Sequence, residues 1–446
     1  MTPEAATIDD AEAPPVAVLP PGQRARIILF GGLLLLLINF GAPAGGLVNV
    51  PVSFFLKNRL HLKSSETAIF LLWAGSPLFV GFVFGMVRDR WSPFGSGDRG
   101  HLILFGLTTA AIYTAMAFLH PTYLLLALGL VLVTASFQMV ASAGNGLATA
   151  IGQDHAMAGQ MGTLLNIATT FPALAAYLVG GVLSGMLESK NADTAAKILF
   201  LFAAGLMALI AVFGALGPKQ LFGAVSTRKP TTSLVDDIQR LFAHGPIYPV
   251  LLIQLLWQFG PAAGTVLLYH LTNTLHATDA QWGEFNAIFL FFFIPVFAVY
   301  GWVCQRVKLS VLLWGGTALA VFQMVPLLFV HSAVGALWAG AAMGIIGGVA
   351  QGAYVDLAIR SCPPKLQGTM MMMFIAVYYI AVRFGDLFGT YLYDHQGGFI
   401  TAVVATIIVY ALILPVILLV PKHLIATTDG QVTESSKWEE QADLFG

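Results

Sequence analysis

Charge is what this chain has least of. Only 10% of its 446 residues are Asp, Glu, Lys or Arg, less than half the share of an ordinary soluble domain. So little charge cannot dress a water-facing surface, and 57% hydrophobic residues would overfill a soluble core. The net charge is −1. No basic field exists to hold a polyanion, which excludes nucleic-acid binding. Cysteine is nearly absent. Cys304 and Cys362 are the two present, too few and too far apart for a disulfide framework or a zinc site, and no metal or cofactor is expected. The chain also lacks G-x-x-x-x-G-K-[ST], H-E-x-x-H and G-x-S-x-G. ATP binding by a P-loop, zincin chemistry and the nucleophile elbow therefore fall away. An intramembrane enzyme would need paired catalytic groups at one depth, and only Arg383 with Asp386 qualify, so no enzyme is expected.

What the chain does have is long apolar runs. A helix needs roughly 20 apolar residues to cross the hydrocarbon of a bilayer. Runs of that kind lie near 27–50, 66–87, 101–119, 122–146, 161–186, 195–217, 248–271, 282–304, 309–330, 333–357, 368–392 and 398–420. In lipid the backbone must satisfy its own hydrogen bonds, so these are helices. The expectation is an all-α membrane protein of twelve transmembrane helices. Residues 1–23 carry Glu4, Asp9, Asp10 and Glu12, whereas a secretory leader starts basic. They read as a short disordered cytoplasmic tail before an uncleaved first span. Residues 218–246 are polar, and 234–242 have apolar residues at helical spacing after Ser233, an N-cap type. That stretch reads as an amphipathic helix at the membrane surface, in a linker between an N-terminal bundle (24–217) and a C-terminal bundle (247–421), with a polar, disordered tail over 422–446. With both termini cytoplasmic, most of the 21 Lys and Arg fall inside. Lys57, Arg59, Lys63, Lys190 and Lys197 fall outside. This positive-inside bias predicts a multi-pass protein of the inner (plasma) membrane.

The two halves repeat. Leu56-Lys57-Asn58-Arg59-Leu60-His61 matches Leu271-Thr272-Asn273-Thr274-Leu275-His276. Phe40-Gly41 with Pro43-Ala44-Gly45 echoes Phe259-Gly260-Pro261-Ala262-Ala263-Gly264. Gly85-Met86-Val87-Arg88-Asp89-Arg90 echoes Gly301-Trp302-Val303-Cys304-Gln305-Arg306. Three matches in order, at a nearly constant offset, imply two pseudo-symmetric six-helix bundles related by an axis along the membrane normal.

The stretch from Gly85 through Asp89-Arg90 to Gly97-Asp98-Arg99-Gly100 resembles the cytoplasmic signature of the major facilitator superfamily. The second copy keeps Gly301 and Arg306 but has Gln305 in place of the acid. Asp356-Leu357-Ala358-Ile359-Arg360-Ser361-Cys362-Pro363-Pro364 onward to Gly368-Thr369 resembles folate–biopterin transporters. The amphipathic linker is similar to that of glycoside–pentoside–hexuronide cation symporters. The resemblance implies a secondary transporter for a small polar solute, working by alternating access with proton or cation coupling, as a monomer in the lipid bilayer. The other class that stays open is a transporter-like scaffold or sensor without transport of its own.

Candidate site residues follow. Asp89, with Arg88, Arg90 and Arg99, is expected to gate. A carboxylate near the start of the helix at Gly368-Thr369 would meet unpaired N–H groups and the positive end of a helix dipole. Arg383 and Asp386 stand three apart and share a helix face; they read either as a substrate or coupling pair or as a structural ion pair. Glu284 is a further acid, at the start of span eight. Asp356 is placed to pair with Arg360, four residues on. The superfamily resemblance implies that spans one, four, seven and ten line the path. On them lie Asn39, Asn49, Gln138, Asn145, Gln254, Gln258, Tyr269 and Gln351, and Asn166 stands on span five. Amides there can read a polar solute, although each alone is as readily a helix–helix hydrogen bond.

Overall fold

The computed structural model describes residues 19–431 apart from 45–47, 49–51, 53–55, 57–63, 120–121, 189–191 and 224–232. The repeat copy at 57–61, Asn49 and the outer parts of both tails lie outside the described residues. Those described form helices and no strand. Ten helices among them are long and apolar enough to cross a membrane.

Two expected spans are cut by breaks that contain proline, and the run near 309–330 passes from helix at Leu309–Ala320 to a 3₁₀ turn at Val325–Phe329. The run near 66–87 is cut into α2 (Ser64–Ala74), α3 (Ser76–Phe79) and α4 (Gly81–Arg90). Pro77 in the first turn of α3 has no N–H to give and, with Gly75 beside it, interrupts the ladder. The run near 248–271 is cut into α10 (Ile247–Gln258) and α11 (Gly264–Tyr269). Pro261 lies in that break, and Gly264 takes φ +58°, a left-handed conformation that glycine adopts without a Cβ penalty. The helix α1 (Pro21–Phe40) ends at the matching place of the first repeat, with Gly41 as its C-cap. Counting twelve spans thus means counting each broken segment as one crossing.

The long helices are α5 (Asp98–Phe118), α6 (Tyr123–Asp154), α7 (Ala158–Glu188) and α8 (Ala192–Leu216) in the first half. The second half has α12 (Asp279–Val303), α13 (Leu309–Ala320), α14 (Ala333–Arg360), α15 (Gln367–His395) and α16 (Gly398–Ala411). In the first group α5 packs on α6 and α8, and α1 on α7 and α8; in the second, α14 packs on α12 and α13, and α15 on α10 and α16. The groups meet where α7 touches α12 and α14, and where α15 touches α4 and α6. Large apolar side chains face outward, among them Leu132, Leu216, Trp338 and Leu418. That surface suits lipid rather than water. Inside, hydroxyls pair across helices, Thr109 with Ser136 at 2.8 Å and Thr317 with Tyr354 at 2.9 Å.

The linker helix α9 (Leu234–Ala243) forms as expected, with a capping box between Ser233 and Asp236. It is docked rather than loose, since Asp237 on its buried side meets Arg90 of α4 at 3.1 Å.

Close backbone packing gives the first test. An ideal Cβ on Gly389 of α15 would collide with the Pro261 carbonyl oxygen, whereas one on Gly315 of α13 would meet nothing within 4 Å. Overpacking against backbone costs about 1–3 kcal/mol. Gly389→Ala is therefore expected to lower the melting temperature of the detergent-solubilised protein by several degrees, and Gly315→Ala to leave it unchanged or slightly raised.

Candidate functional site: a clasped end and a polar cavity

The two groups are clasped at the end of the molecule that carries α9. The Asp89 carboxylate, at the end of α4, reaches the start of α15. It accepts from the Gly368 N–H at 3.1 Å, the Thr369 N–H at 2.7 Å and the Thr369 hydroxyl at 2.7 Å. The first N–H groups of a helix have no partner within it, and a carboxylate there answers both the donors and the dipole. Gly85 makes the approach possible, since an ideal Cβ on it would lie 2.5 Å from the Gly368 carbonyl oxygen.

Arg88 holds Asp89 in place. Its Nη1 donates to Asp89 at 2.8 Å, and its Nε and Nη2 donate to the two oxygens of Asp98 at 2.6 Å each. The side chains of Arg88, Asp89 and Asp98 are 9%, 1% and 11% exposed, so the triad is cut off from water. Arg88 also lies flat over α6, where an ideal Cβ on Gly146 would come 2.6 Å from its guanidinium carbon. Arg90 ties down α9 as described. Arg99 donates to the Gly217 carbonyl at 2.6 Å and sits 4.6 Å above the Phe222 ring. Gln153 of α6 adds two bonds to the second group, to the carbonyls of Ile359 at 2.9 Å and Cys362 at 2.7 Å.

Between the two groups lies a cavity of about 890 Å³ whose wall includes Asn39, Gln138, Asn145, Gln254, Gln258, Gln351, Arg383 and Asp386. Residues far apart in sequence thus converge on one space. Tyr269 and Glu284 do not line it; both are exposed on the ends of their helices. The rest of the wall mixes aliphatic side chains such as Leu78, Leu165 and Ile375 with the aromatic ones of Phe137, Trp257, Phe289, Tyr378, Tyr379 and Tyr410.

A hydrogen-bonded chain crosses between the groups in this wall. The Trp257 indole donates to Gln351 at 2.5 Å, and Gln351 donates to Asn166 of the first group at 3.2 Å. The chain ends on an Asn166 amide nitrogen with no partner. Gln138 Nε2 and Gln254 Oε1 are likewise buried and unpartnered. Each such atom costs about 1–3 kcal/mol until water or a solute satisfies it.

Arg383 and Asp386 share the cavity but not an ion pair. Asp386 accepts from the Thr265 N–H and the Thr265 hydroxyl, both at 2.8 Å. The ion-pair reading is corrected for a physical reason: the break at residues 259–263 frees backbone donors at the start of α11, and the carboxylate goes to them. Arg383 makes no hydrogen bond or ion pair among the described residues and is exposed to the cavity it lines. Asp356, on α14, pairs with Arg360 at 2.7 Å and accepts from the Tyr300 hydroxyl at 3.0 Å.

Four residues of these networks were not singled out by their sequence context. Asp98 and Asp237 look like ordinary loop and linker acids. Gln323, in the cavity wall, is a lone amide between apolar turns. Asp429 lies in the tail read as disordered, which the structure orders as far as residue 431, and its carboxylate stands 3.7 Å from Arg360. No local pattern marks any of them; only the partner across the fold does.

A polar, solute-sized gap between two lipid-facing helix groups, clasped at one end, is the arrangement of a membrane carrier. Residues 29–385 match the profile of the Major Facilitator Superfamily, so the match spans most of the chain. The chain is 22% identical over 361 residues to a folate-biopterin transporter of Synechocystis sp., covering 78% of this chain and 72% of that protein. Among solved structures, FucP, a transporter of this superfamily in its outward conformation, superposes with a TM-score of 0.67 at 17% identity, covering 88% of this chain and 98% of that one. The proton:xylose symporter XylE, bound to 6-bromo-6-deoxy-D-glucose, gives 0.67 at 13% identity over 94% of this chain and 99% of that one. The chain belongs to the Major Facilitator Superfamily, a family of transporters and not of enzymes.

The triad makes a second test. Arg88→Ala leaves two buried carboxylates without their cation, a loss of about 3–5 kcal/mol. Thermal unfolding of the variant in detergent should show it. Arg88→Lys should recover less than half, because a point charge cannot span Asp89 and the two oxygens of Asp98 at once.

Proposed function

We propose that the protein is a secondary transporter that carries a planar, polar heterocycle of the pterin or folate kind, with or without a carboxylate, coupled to protons. The observation that carries this reading is the set of three buried amide atoms without partners in the cavity wall, two donors on Gln138 and Asn166 and one acceptor on Gln254. Donors and an acceptor set among aromatic faces suit the edge and the faces of a fused ring. Arg383, without a hydrogen-bond or ion-pair partner among the described residues, stands in the same wall and suits a carboxylate. The relative in Synechocystis supports this class of solute.

The reading also places both termini in the cytoplasm, the bundles at 24–217 and 247–421, and the chain in the plasma (inner) membrane. Asp89 with Arg88, Arg90 and Arg99 then forms the cytoplasmic gate, closed here so that the cavity belongs to the outward-facing state. With no P-loop in the sequence, the work comes from a gradient. Asp386 is the one carboxylate among the described residues of the cavity wall, and we assign it the coupling proton.

Counterflow in proteoliposomes tests the reading with labelled folate, biopterin and L-fucose. Folate and biopterin should exchange and fucose should not. Arg383→Gln should raise the KM for folate about tenfold, the worth of one charge-assisted pair, and leave biopterin, which has no carboxylate, within about twofold. Asp386→Asn should permit exchange but abolish accumulation driven by an imposed proton gradient. An absence of counterflow for every pterin and folate would favour the scaffold or sensor reading instead.

A further inference from the structure

The gate described so far is lopsided. Asp89 caps a helix of the second group from the first, but the second repeat has Gln305 where its own acid would stand. Gln305 turns back on its own helix and donates to the Gly301 carbonyl at 2.8 Å. The corresponding helix start is that of α7, and it is not left bare. The carboxylate of Asp429, far along the chain, accepts from the Gly159 N–H and the Gln160 N–H, both at 3.0 Å.

The two caps match in register. Gly368 and Thr369 are the second and third residues of α15, and Gly159 and Gln160 are the second and third of α7. Each cap uses a glycine pressed against the opposite group. An ideal Cβ on Gly368 would lie 2.7 Å from Asp89 Oδ1, and one on Gly159 would lie 2.7 Å from the Cys304 sulfur. Cys304 is the repeat counterpart of Arg88.

We propose that residues 421–431 are a working part of the gate, with Asp429 supplying the helix-capping carboxylate that the second repeat lost at Gln305. The segment is anchored to the second group. Arg360 Nη1 donates to the carbonyl and the hydroxyl of Thr427, both at 3.1 Å, and the Asp429 N–H donates to the Cys304 carbonyl at 2.9 Å. Its far side holds the first group, where the Gly430 N–H donates to the Ala156 carbonyl at 2.7 Å. The strap therefore crosses the seam that must part when this end of the molecule opens. The Asp429 side chain is 1% exposed. Burial first, then the neighbouring Asp356, push its carboxyl up to about 6, against the pull of the Gly159 N–H, Arg360 and the Gln160 N–H. Its ionised form is thus held at a cost that release into water would relieve, as suits a contact that must let go in each cycle.

The inference rests on the transport reading for its purpose, but its test needs no substrate. Cys304 is 1% exposed and lies under the strap, with its sulfur 3.8 Å from Asp429 Oδ2. In a Cys362→Ser background it is the single thiol of the full chain. Its modification by a polar maleimide in nanodiscs, where both faces are accessible, reads the opening of this end. Asp429→Asn should speed modification about tenfold, as expected for loss of charge-assisted bonds at a locally opening seam, and Asp429→Glu should stay within about threefold. The melting temperature of Asp429→Asn should remain above the labelling temperature by the same wide margin as the parent. An unchanged rate in Asp429→Asn overturns the proposal, and so does a faster rate traced to global unfolding. Failure of counterflow would count against the transport reading alone, because the labelling experiment reads the strap by itself.

Discussion

A carboxylate at the start of a helix that belongs to the other half of the molecule is the contact on which the rest of the closed end depends. Asp89 could not be buried as a bare ion. It is buried because Arg88 neutralises it and because the first turn of α15 offers donors that the helix cannot use. Arg88 in turn needs Asp98, and it needs Gly146 to lie against. The loop after α4, the start of α5 and the floor of α6 are all placed by one ion and its neutralisation. Remove that contact and Gly85 has no reason to approach Gly368, nor Gln153 to reach the carbonyls of α14.

The same logic explains the opposite end of the polar path. Where α10 gives way to α11, the first N–H groups of α11 have no partner within the helix. Asp386 answers them through Thr265. A side chain that hydropathy marks only as an intruder in an apolar span is there because of a break elsewhere. Asp386 therefore does two things at once. It holds the fold of the broken span, and it presents a carboxylate to the cavity, so that a change in its charge would be felt by the helix break as well as by a solute.

Most of the fold was legible in the sequence because hydropathy is a local property. Ten long helices follow apolar runs read residue by residue, and α9 begins at the Ser233 cap that its sequence advertises. The breaks at Gly75–Gly81 and Gly260–Gly264 were written as glycine and proline, yet their consequence was not, because whether a Pro kinks a helix or ends it depends on what else can take up the freed groups. Of the site, the amides on spans one, four, seven and ten could be named from a repeat and a family resemblance, and those among the described residues, Asn39, Gln138, Asn145, Gln254, Gln258 and Gln351, do line one cavity. Tyr269 and Glu284 could not be told from them, since depth and facing within a span are set by packing. Asp98, Asp237 and Asp429 were invisible for a plainer reason: an acid in a loop or tail looks solvated until its partner is known.

How firmly such a clasp can hold is bounded from both sides. A hydrogen bond is worth about 4–6 kcal/mol against having no partner at all in an apolar medium. Asp89 makes three to α15 and Asp429 two to α7. Lost outright, they would set a difference well beyond the ~5.5 kcal/mol that swings a two-state equilibrium from one extreme to the other. A solute in the cavity could not overcome that by differential binding. The contacts must therefore be exchanged for water as the end opens, and their position allows it, since they lie at the rim of the helix groups and not at mid-depth. Water can enter behind the departing helix starts, leaving a net cost per bond of a fraction of its gross strength. The deep amides of Gln138, Asn166 and Gln254 lie in the cavity wall and not at the rim, and in the proposed reading their partner in the shut cavity is the solute. In the transport reading proposed above, rim groups exchange their partners for water and core amides exchange water for solute, and together these let a small ligand tip a large machine.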